Sequence, residues 1–161
     1  MRLPGGPVPA LVIVVVVALI AVSSVFAASP APRSEEALLR EMNLARTSRG
    51  LRPLRFDAKL HSAARAHSRE MLRYGYFGHG AFGRRLSSFG VRSAWVGENL
   101  AWGRGVYGRA STIIREWLQS PEHRANLLRP GFQRVGVGSI TGTFAGQPDA
   151  LVITADFAGN S

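Results

Sequence analysis

The chain of 161 residues contains no cysteine and only one lysine, Lys59. The absence of cysteine excludes a disulfide framework, a thiolate-held metal cluster and a thiol nucleophile. The chain also lacks a Gly-x-x-x-x-Gly-Lys phosphate loop, a Gly-x-Ser-x-Gly nucleophile turn and a His-Glu-x-x-His zinc helix. What remains is one domain with an appendage, and its stability must come from an apolar core.

Charge of one sign dominates: 20 basic against 10 acidic side chains give a formal net charge of +10. Such a balance favours anionic partners. The arginines are spread along the chain, however, and no aromatic residues alternate with them as they do in single-strand binders. We therefore expect no nucleic-acid partner, while adhesion to anionic wall polymers stays open as a structural role.

The N-terminus has the pattern of a secretory leader. Arg2 precedes an unbroken apolar run of 13 residues from Ala10 to Val22, and small side chains follow as far as Ala27. This predicts a signal peptide over residues 1–27, with an uncleaved membrane anchor as the alternative. Residues 28–33 are then a linker, and residues 34–161 a single domain in an extracytoplasmic space. The membrane is expected to matter only if the leader is retained.

Hydrophobic spacing and cap residues predict helices followed by a strand pair. The expected elements are a helix from Ser34 to before Gly50, a helix from Asp57 to Gly75, a strand from Val96 to Trp102, a helix from Ala110 to Leu118 and a short helix capped by Ser120. Residues 76–80 are expected to be rich in turns and to lead into a loop that runs on to Gly90. Strands from Arg134 to Ile140 and from Leu151 to Phe157 are expected to be joined by a long loop over 141–149. The fold class is α+β, with the sheet placed between helical layers.

Three side chains are candidates for chemistry. His79 stands between two glycines in a loop, where it is either a functional group or a turn residue. His123 is the third residue of its helix, where the amide dipoles favour a neutral imidazole. Glu98 lies in an apolar strand and needs a partner if it is buried. If the three converge they have the composition of an open zinc site. His67 is expected to be a hydrogen-bonded core residue and His61 to be exposed.

Several segments taken in order carry a resemblance to a known family. They are the helix over 38–49, Leu54-x-x-Asp57-x-x-Leu60, His79 after an aromatic residue, Gly97-Glu98-Asn99-Leu100, Trp117-x-x-Ser120-Pro121-x-His123-Arg124-Ala125-Asn126-Leu127-Leu128, and Val135-Gly136-Val137-Gly138. In this order they resemble the CAP superfamily of cysteine-rich secretory, antigen 5 and pathogenesis-related proteins. The likeness is to its bacterial SCP-like extracellular branch.

The resemblance implies a three-layer α-β-α sandwich with a small, mainly antiparallel central sheet and a cleft. Family members commonly place two histidines and two glutamates around that cleft. By motif, His79 and His123 match the two histidines and Glu98 matches one of the glutamates. The resemblance makes zinc the candidate metal. The second glutamate does not carry over. We add Asn99, Glu122 and Asn126 as expected cleft-lining residues.

The resulting expectation is a secreted, monomeric cell-envelope domain whose cleft holds a small ligand, a peptide, a lipid or a cell-wall component. A zinc-assisted hydrolase using the same cleft, with Glu122 as base, is the alternative.

Overall fold

The computed structural model describes residues 33–160 and contains five α-helices, four β-strands and one 3₁₀ turn in that range. The helices are α1 (Arg33–Thr47), α2 (Ala58–Tyr74), α3 (Phe82–Ser88), α4 (Ala110–Gln119) and α5 (Pro121–Leu127). The strands are β1 (Arg55–Phe56), β2 (Val96–Gly103), β3 (Arg134–Phe144) and β4 (Gln147–Ala158), and the 3₁₀ turn spans Gly105–Gly108.

Helix α2 shows how closely local signals set the boundaries. The Asp57 carboxylate accepts hydrogen bonds from the N–H groups of Lys59 and Leu60 at 2.9 and 3.0 Å, as an N-cap should. At the other end, Gly75 adopts the left-handed conformation with φ of 67°, which a residue without Cβ adopts at little cost. Both predicted ends of this helix are confirmed.

The four strands form one sheet in the order β1-β3-β4-β2. Strand β4 pairs antiparallel with both β3 and β2, whereas the two-residue β1 pairs parallel with β3. The sheet is therefore mixed and mainly antiparallel, and β2 is an edge strand. This edge position decides where the candidate site lies.

Helical layers cover both faces of the sheet, so the predicted three-layer sandwich is confirmed. On one face, α1, α4 and α5 pack on alternate residues of β3 and β4, such as Val135, Ile153 and Phe157. On the other face, α2 and α3 contribute Met71, Leu60 and Leu86 to two smaller clusters. The strands alternate between these faces because successive side chains point to opposite sides of a sheet.

Two expectations about loops are wrong. Strands β3 and β4 run on until Phe144 pairs with Gln147, so a tight turn at Ala145 and Gly146 replaces the long loop expected over 141–149. The turn has positive φ at both central residues, as the twist of a two-residue hairpin requires. Ala is an uncommon residue there, which is why the sequence did not indicate it. The second error is α3, expected to be loop, which forms because Leu86 buries its side chain against α2.

The predicted leader and most of the predicted linker lie outside the described residues. Within 33–160, no helix has the length and apolar character needed to cross a membrane.

Candidate functional site

A pair of carboxyl groups lies at the inner side of the edge strand. Glu98 on β2 stands opposite Asp156 on β4 in the sheet register, and both side chains point to the face covered by α2. Asp156 is fully buried and Glu98 almost so. Two carboxyl groups removed from water are costly unless a proton or a cation compensates them.

Arg85, from α3, provides that cation. Its Nη2 contacts Glu98 Oε2 and lies 3.8 Å from Asp156 Oδ1. Its Nη1 donates to the His79 carbonyl at 3.2 Å. The guanidinium thus binds the carboxylate and the loop beside it at the same time.

Burial raises the pKa of Glu98 to about 7, although Arg85 acts in the opposite direction. Burial, and then the charge of Glu98, raises the pKa of Asp156 well above its usual range. A proton retained on Asp156 removes one of the two negative charges, and the Arg85 guanidinium faces the other on Glu98.

His79 is placed by the loop that leaves α2. The fully buried His67 ring is hydrogen-bonded through Nε2 to the Gly78 carbonyl at 2.9 Å, which anchors this loop to the helix. His79 Nδ1 lies 2.6 Å from Glu98 Oε1 while the side chain remains 59% exposed. Because a carboxylate accepts, Nδ1 carries the proton and Nε2 keeps its lone pair toward solvent. The prediction that His67 is a hydrogen-bonded core residue is confirmed.

His123 approaches from the opposite helical layer, in the first turn of α5. Its Nδ1 is 2.9 Å from Ser120 Oγ, and its ring lies 6.3 Å from the Trp117 ring. Burial, and then the nearby His79, lowers the pKa of His123, so the imidazole is neutral at pH 7 as predicted. Ser120 is the N-cap residue of α5, but its hydroxyl makes no capping bond. That hydroxyl orients His123 instead.

An open groove runs along the outer edge of β2 with His123 at its margin. Its volume is about 480 Å³, within the size range of small-molecule sites. Phe77, Trp102, Tyr107 and Trp117 form much of its lining, and Glu116 is its acidic residue. The groove lies where the two helical layers meet the edge strand.

The three expected cleft-lining residues lie outside this groove. Asn99 is fully buried and donates to the His123 carbonyl at 2.9 Å. Asn126 donates to the Glu98 carbonyl and to Asn99 Oδ1, each at 3.1 Å. Both amides tie α5 to β2. Glu122 is exposed in the first turn of α5, where its charge suits the helix dipole.

The donor set around Glu98 does not suit a metal ion. No group of three or more His, Cys, Asp or Glu side chains within 33–160 is placed to hold one. Both Glu98 oxygens are engaged, one by His79 and the other by Arg85. A three-ligand set of His79, Glu98 and His123 therefore does not fit this geometry, and we derive no chemistry through zinc. Zinc binding stays a prediction.

Asp156 and Arg85 are functional candidates that sequence reasoning missed. Asp156 had a usable signal, because it is an acidic residue in an alternating apolar strand, like Glu98. Arg85 had none, since it is one of many dispersed arginines in a segment expected to be loop.

The site thus places one histidine on each side of an edge strand in a three-layer sandwich. A family model described as CAP, the cysteine-rich secretory protein family, matches residues 39–157, and the chain belongs to this family. It is 33% identical over 111 residues to the uncharacterized protein YkwD of Bacillus subtilis, covering 66% of this chain and 42% of YkwD. It is 32% identical over 110 residues to the uncharacterized membrane protein YlbC of the same organism, covering 65% of this chain and 31% of YlbC.

Solved structures share the fold. An extracellular protein with an SCP domain from Bacillus anthracis aligns with a TM-score of 0.67 and 26% identity, over 79% of this chain and 40% of that one. An outer surface protein of Borrelia burgdorferi aligns with a TM-score of 0.68 and 18% identity, over 80% of this chain and 93% of that one. The chain spans less than half the length of YkwD, YlbC and the B. anthracis protein.

Proposed function

We propose that this chain is a ligand-binding domain of the cell envelope, and that its ligand contacts His79 and also His123, which lies at the margin of the groove along β2. One observation carries the proposal. Each imidazole is tied through Nδ1 to a protein partner, Glu98 or Ser120, which leaves its Nε2 free for a ligand. Inner hydrogen bonds of this kind fix a ring before binding, so little side-chain freedom is lost when the ligand arrives.

Export from the cytoplasm is part of the proposal. The B. anthracis relative is an extracellular protein and the B. burgdorferi one an outer surface protein. The predicted leader over residues 1–27 is consistent with the same location outside the cytoplasm. N-terminal sequencing of the protein purified from membranes and from medium tests whether that leader is cleaved or serves as an anchor.

Zinc-assisted hydrolysis by the same residues is less well supported. Both Glu98 oxygens are already engaged, one by the Arg85 guanidinium and the other by His79. Glu122, the expected base, is exposed on α5 and is not part of the groove lining. Elemental analysis of the purified protein, with and without chelator, tests this alternative directly.

The binding proposal is tested by following the imidazole nitrogens of His79 and His123 by NMR in ¹⁵N-labelled protein. Separate additions of solubilised wall glycan, envelope lipid extract and a peptide library should shift Nε2 of both residues in one of the three cases. His61→Ala is the matched control, because that ring bonds the Val137 carbonyl on β3, a strand that does not pair with β2. If all three additions leave both Nε2 resonances in place, the proposal is overturned.

A further inference from the structure

The groove beside His123 is unusual in how much aromatic surface it exposes. Phe77 is 48%, Trp102 39% and Tyr107 71% exposed, and all three line the same groove. Large aromatic rings gathered at one open surface mark an interaction site more often than a chance exposure does. The buried Trp117 forms the floor, and its Nε1 donates to the Leu100 carbonyl at 3.0 Å.

Two of these rings are held in place from behind. The buried Phe144 ring packs edge-on against Trp102, with centroids 5.4 Å apart and planes at 64°. The same ring packs against Phe77 at 6.3 Å and 64°. One core residue therefore orients both exposed rings. A ligand that stacks on them meets a surface that is already ordered.

The polar groups at the rim indicate which ligand fits. Thr112, Glu116, Ser120 and His123 place a hydroxyl, a carboxylate, a second hydroxyl and a neutral imidazole around the rings. The Glu116 carboxylate opposes an acidic headgroup such as that of a fatty acid, whereas it accepts hydrogen bonds from hydroxyl groups. An open groove would also leave an acyl chain half in water.

An uncharged sugar chain matches both halves of this surface. Each pyranose ring has a face of C–H groups, which pack on the electron-rich face of an aromatic ring. Its edge carries hydroxyl groups that suit the polar rim. We propose that the β2 groove binds a glycan of uncharged pyranose units, with Trp102 as its main stacking platform. This inference rests on the proposed binding function and names its ligand class.

The test uses the full chain and the uncharged tetramer of N-acetylglucosamine, followed by tryptophan fluorescence and isothermal titration calorimetry. The tetramer should bind, and Trp102→Ala should weaken its affinity about tenfold, the loss typical of a stacking anchor. Trp102→Phe, which keeps a ring, should retain most of the affinity. Trp95→Ala is the matched control, because Trp95 is 57% exposed but lies outside the groove. It should leave the affinity unchanged.

Three results would overturn the inference. They are no binding of the tetramer, equal effects of Trp102→Ala and Trp95→Ala, or a fatty acid that binds in a Trp102-dependent manner while the sugar does not. Circular dichroism confirms that each variant is folded. If the sugar fails but lipid or peptide still shifts His79 and His123, only the glycan inference falls. If nothing shifts them, the binding function falls as well.

Discussion

Arg46 is the largest fully buried side chain of the described residues, and it makes no ion pair there. Its guanidinium donates instead to four backbone carbonyls, those of Arg52, Leu127, Arg129 and Phe132, at 2.8 to 3.1 Å. These carbonyls belong to the end of α5 and to two loops that have no other regular structure. A single side chain thus supplies hydrogen-bond donors to backbone carbonyls of three segments.

We expect Arg46→Met to lower the free energy of unfolding by about 3 kcal/mol or more, because the buried carbonyls of Leu127 and Phe132 lose their donors at about 1–3 kcal/mol each. Urea denaturation measures the loss. Arg49→Met is the control, since Arg49 is exposed and bonds within its own helix turn. A surface change of this kind should stay within about 0.5 kcal/mol. Similar losses in the two variants would contradict the assignment.

Trp117 and His79 separate stability from binding at the level of single residues. Trp117 is buried between α4 and the sheet, so Trp117→Ala should lower the free energy of unfolding by about 3–5 kcal/mol. His79 is 59% exposed, and His79→Ala should lower the melting temperature less. Thermal melts followed by circular dichroism compare the two. The reverse order would show that the core has been misplaced.

At the level of the elements, two glycines of β3 determine how closely α2 can approach the sheet. A Cβ built on Gly136 would lie 1.9 Å from the His61 backbone nitrogen, and one on Gly138 would lie 2.2 Å from that of Arg65. Helix α2 therefore packs backbone against backbone on this strand. The same helix carries His67, which anchors the loop of His79, so this close packing also positions the site.

Gly136→Ala should force α2 away from β3 and lower the free energy of unfolding by about 3 kcal/mol or more, the upper range for overpacking. Gly131→Ala provides the comparison, because a Cβ there meets nothing within 4 Å. Chemical denaturation and the His79 NMR signals should both change in the first variant, and neither should change in the second. A Gly136→Ala protein as stable as the wild type would refute the close-packing argument.

For the whole molecule, the buried carboxyl pair makes stability depend on pH. The pKa of Asp156 is raised by burial and by Glu98, so the native state keeps a proton that the unfolded chain releases above about pH 4. The free energy of unfolding therefore falls as the pH rises from about pH 4 toward the raised pKa of Asp156 in the native state. Burial lowers the pKa of His67 and of His123, and these rings act in the opposite direction below about pH 6.5. A variant comparison separates the two effects.

Asp156→Asn removes the proton that the native state retains. We expect its destabilisation relative to wild type to be smaller at about pH 8 than at about pH 5, because the wild type loses this contribution as the pH rises. Urea denaturation at both values measures it. Asp149→Asn, an exposed change in the same strand, should have the same small effect at each pH. A larger destabilisation by Asp156→Asn at the higher pH would show that the native state does not retain a proton on Asp156.

Local signals in the chain were sufficient for the ends of α2, the starts of α4 and α5, the alternation of the long strands and the family. The family follows from the order of several motifs along the chain, and each of the others depends on residues within a few positions of one another, such as Asp57 with Leu60. The hairpin at Ala145 and the helix α3 were missed because their local signals are weak and their packing stabilises them.

The partners within the site were decided by the packed fold. Glu98 is paired in the sheet register with Asp156, 58 positions further along the chain, and contacts Arg85 on a helix that the sequence did not indicate. The predicted set of His79, Glu98 and His123 followed from motif order, whereas the hydrogen bonds that occupy Glu98 follow from which strands neighbour each other. Sequence spacing carries no information on that neighbourhood, because the contacts of an edge strand depend on how distant segments pack against it.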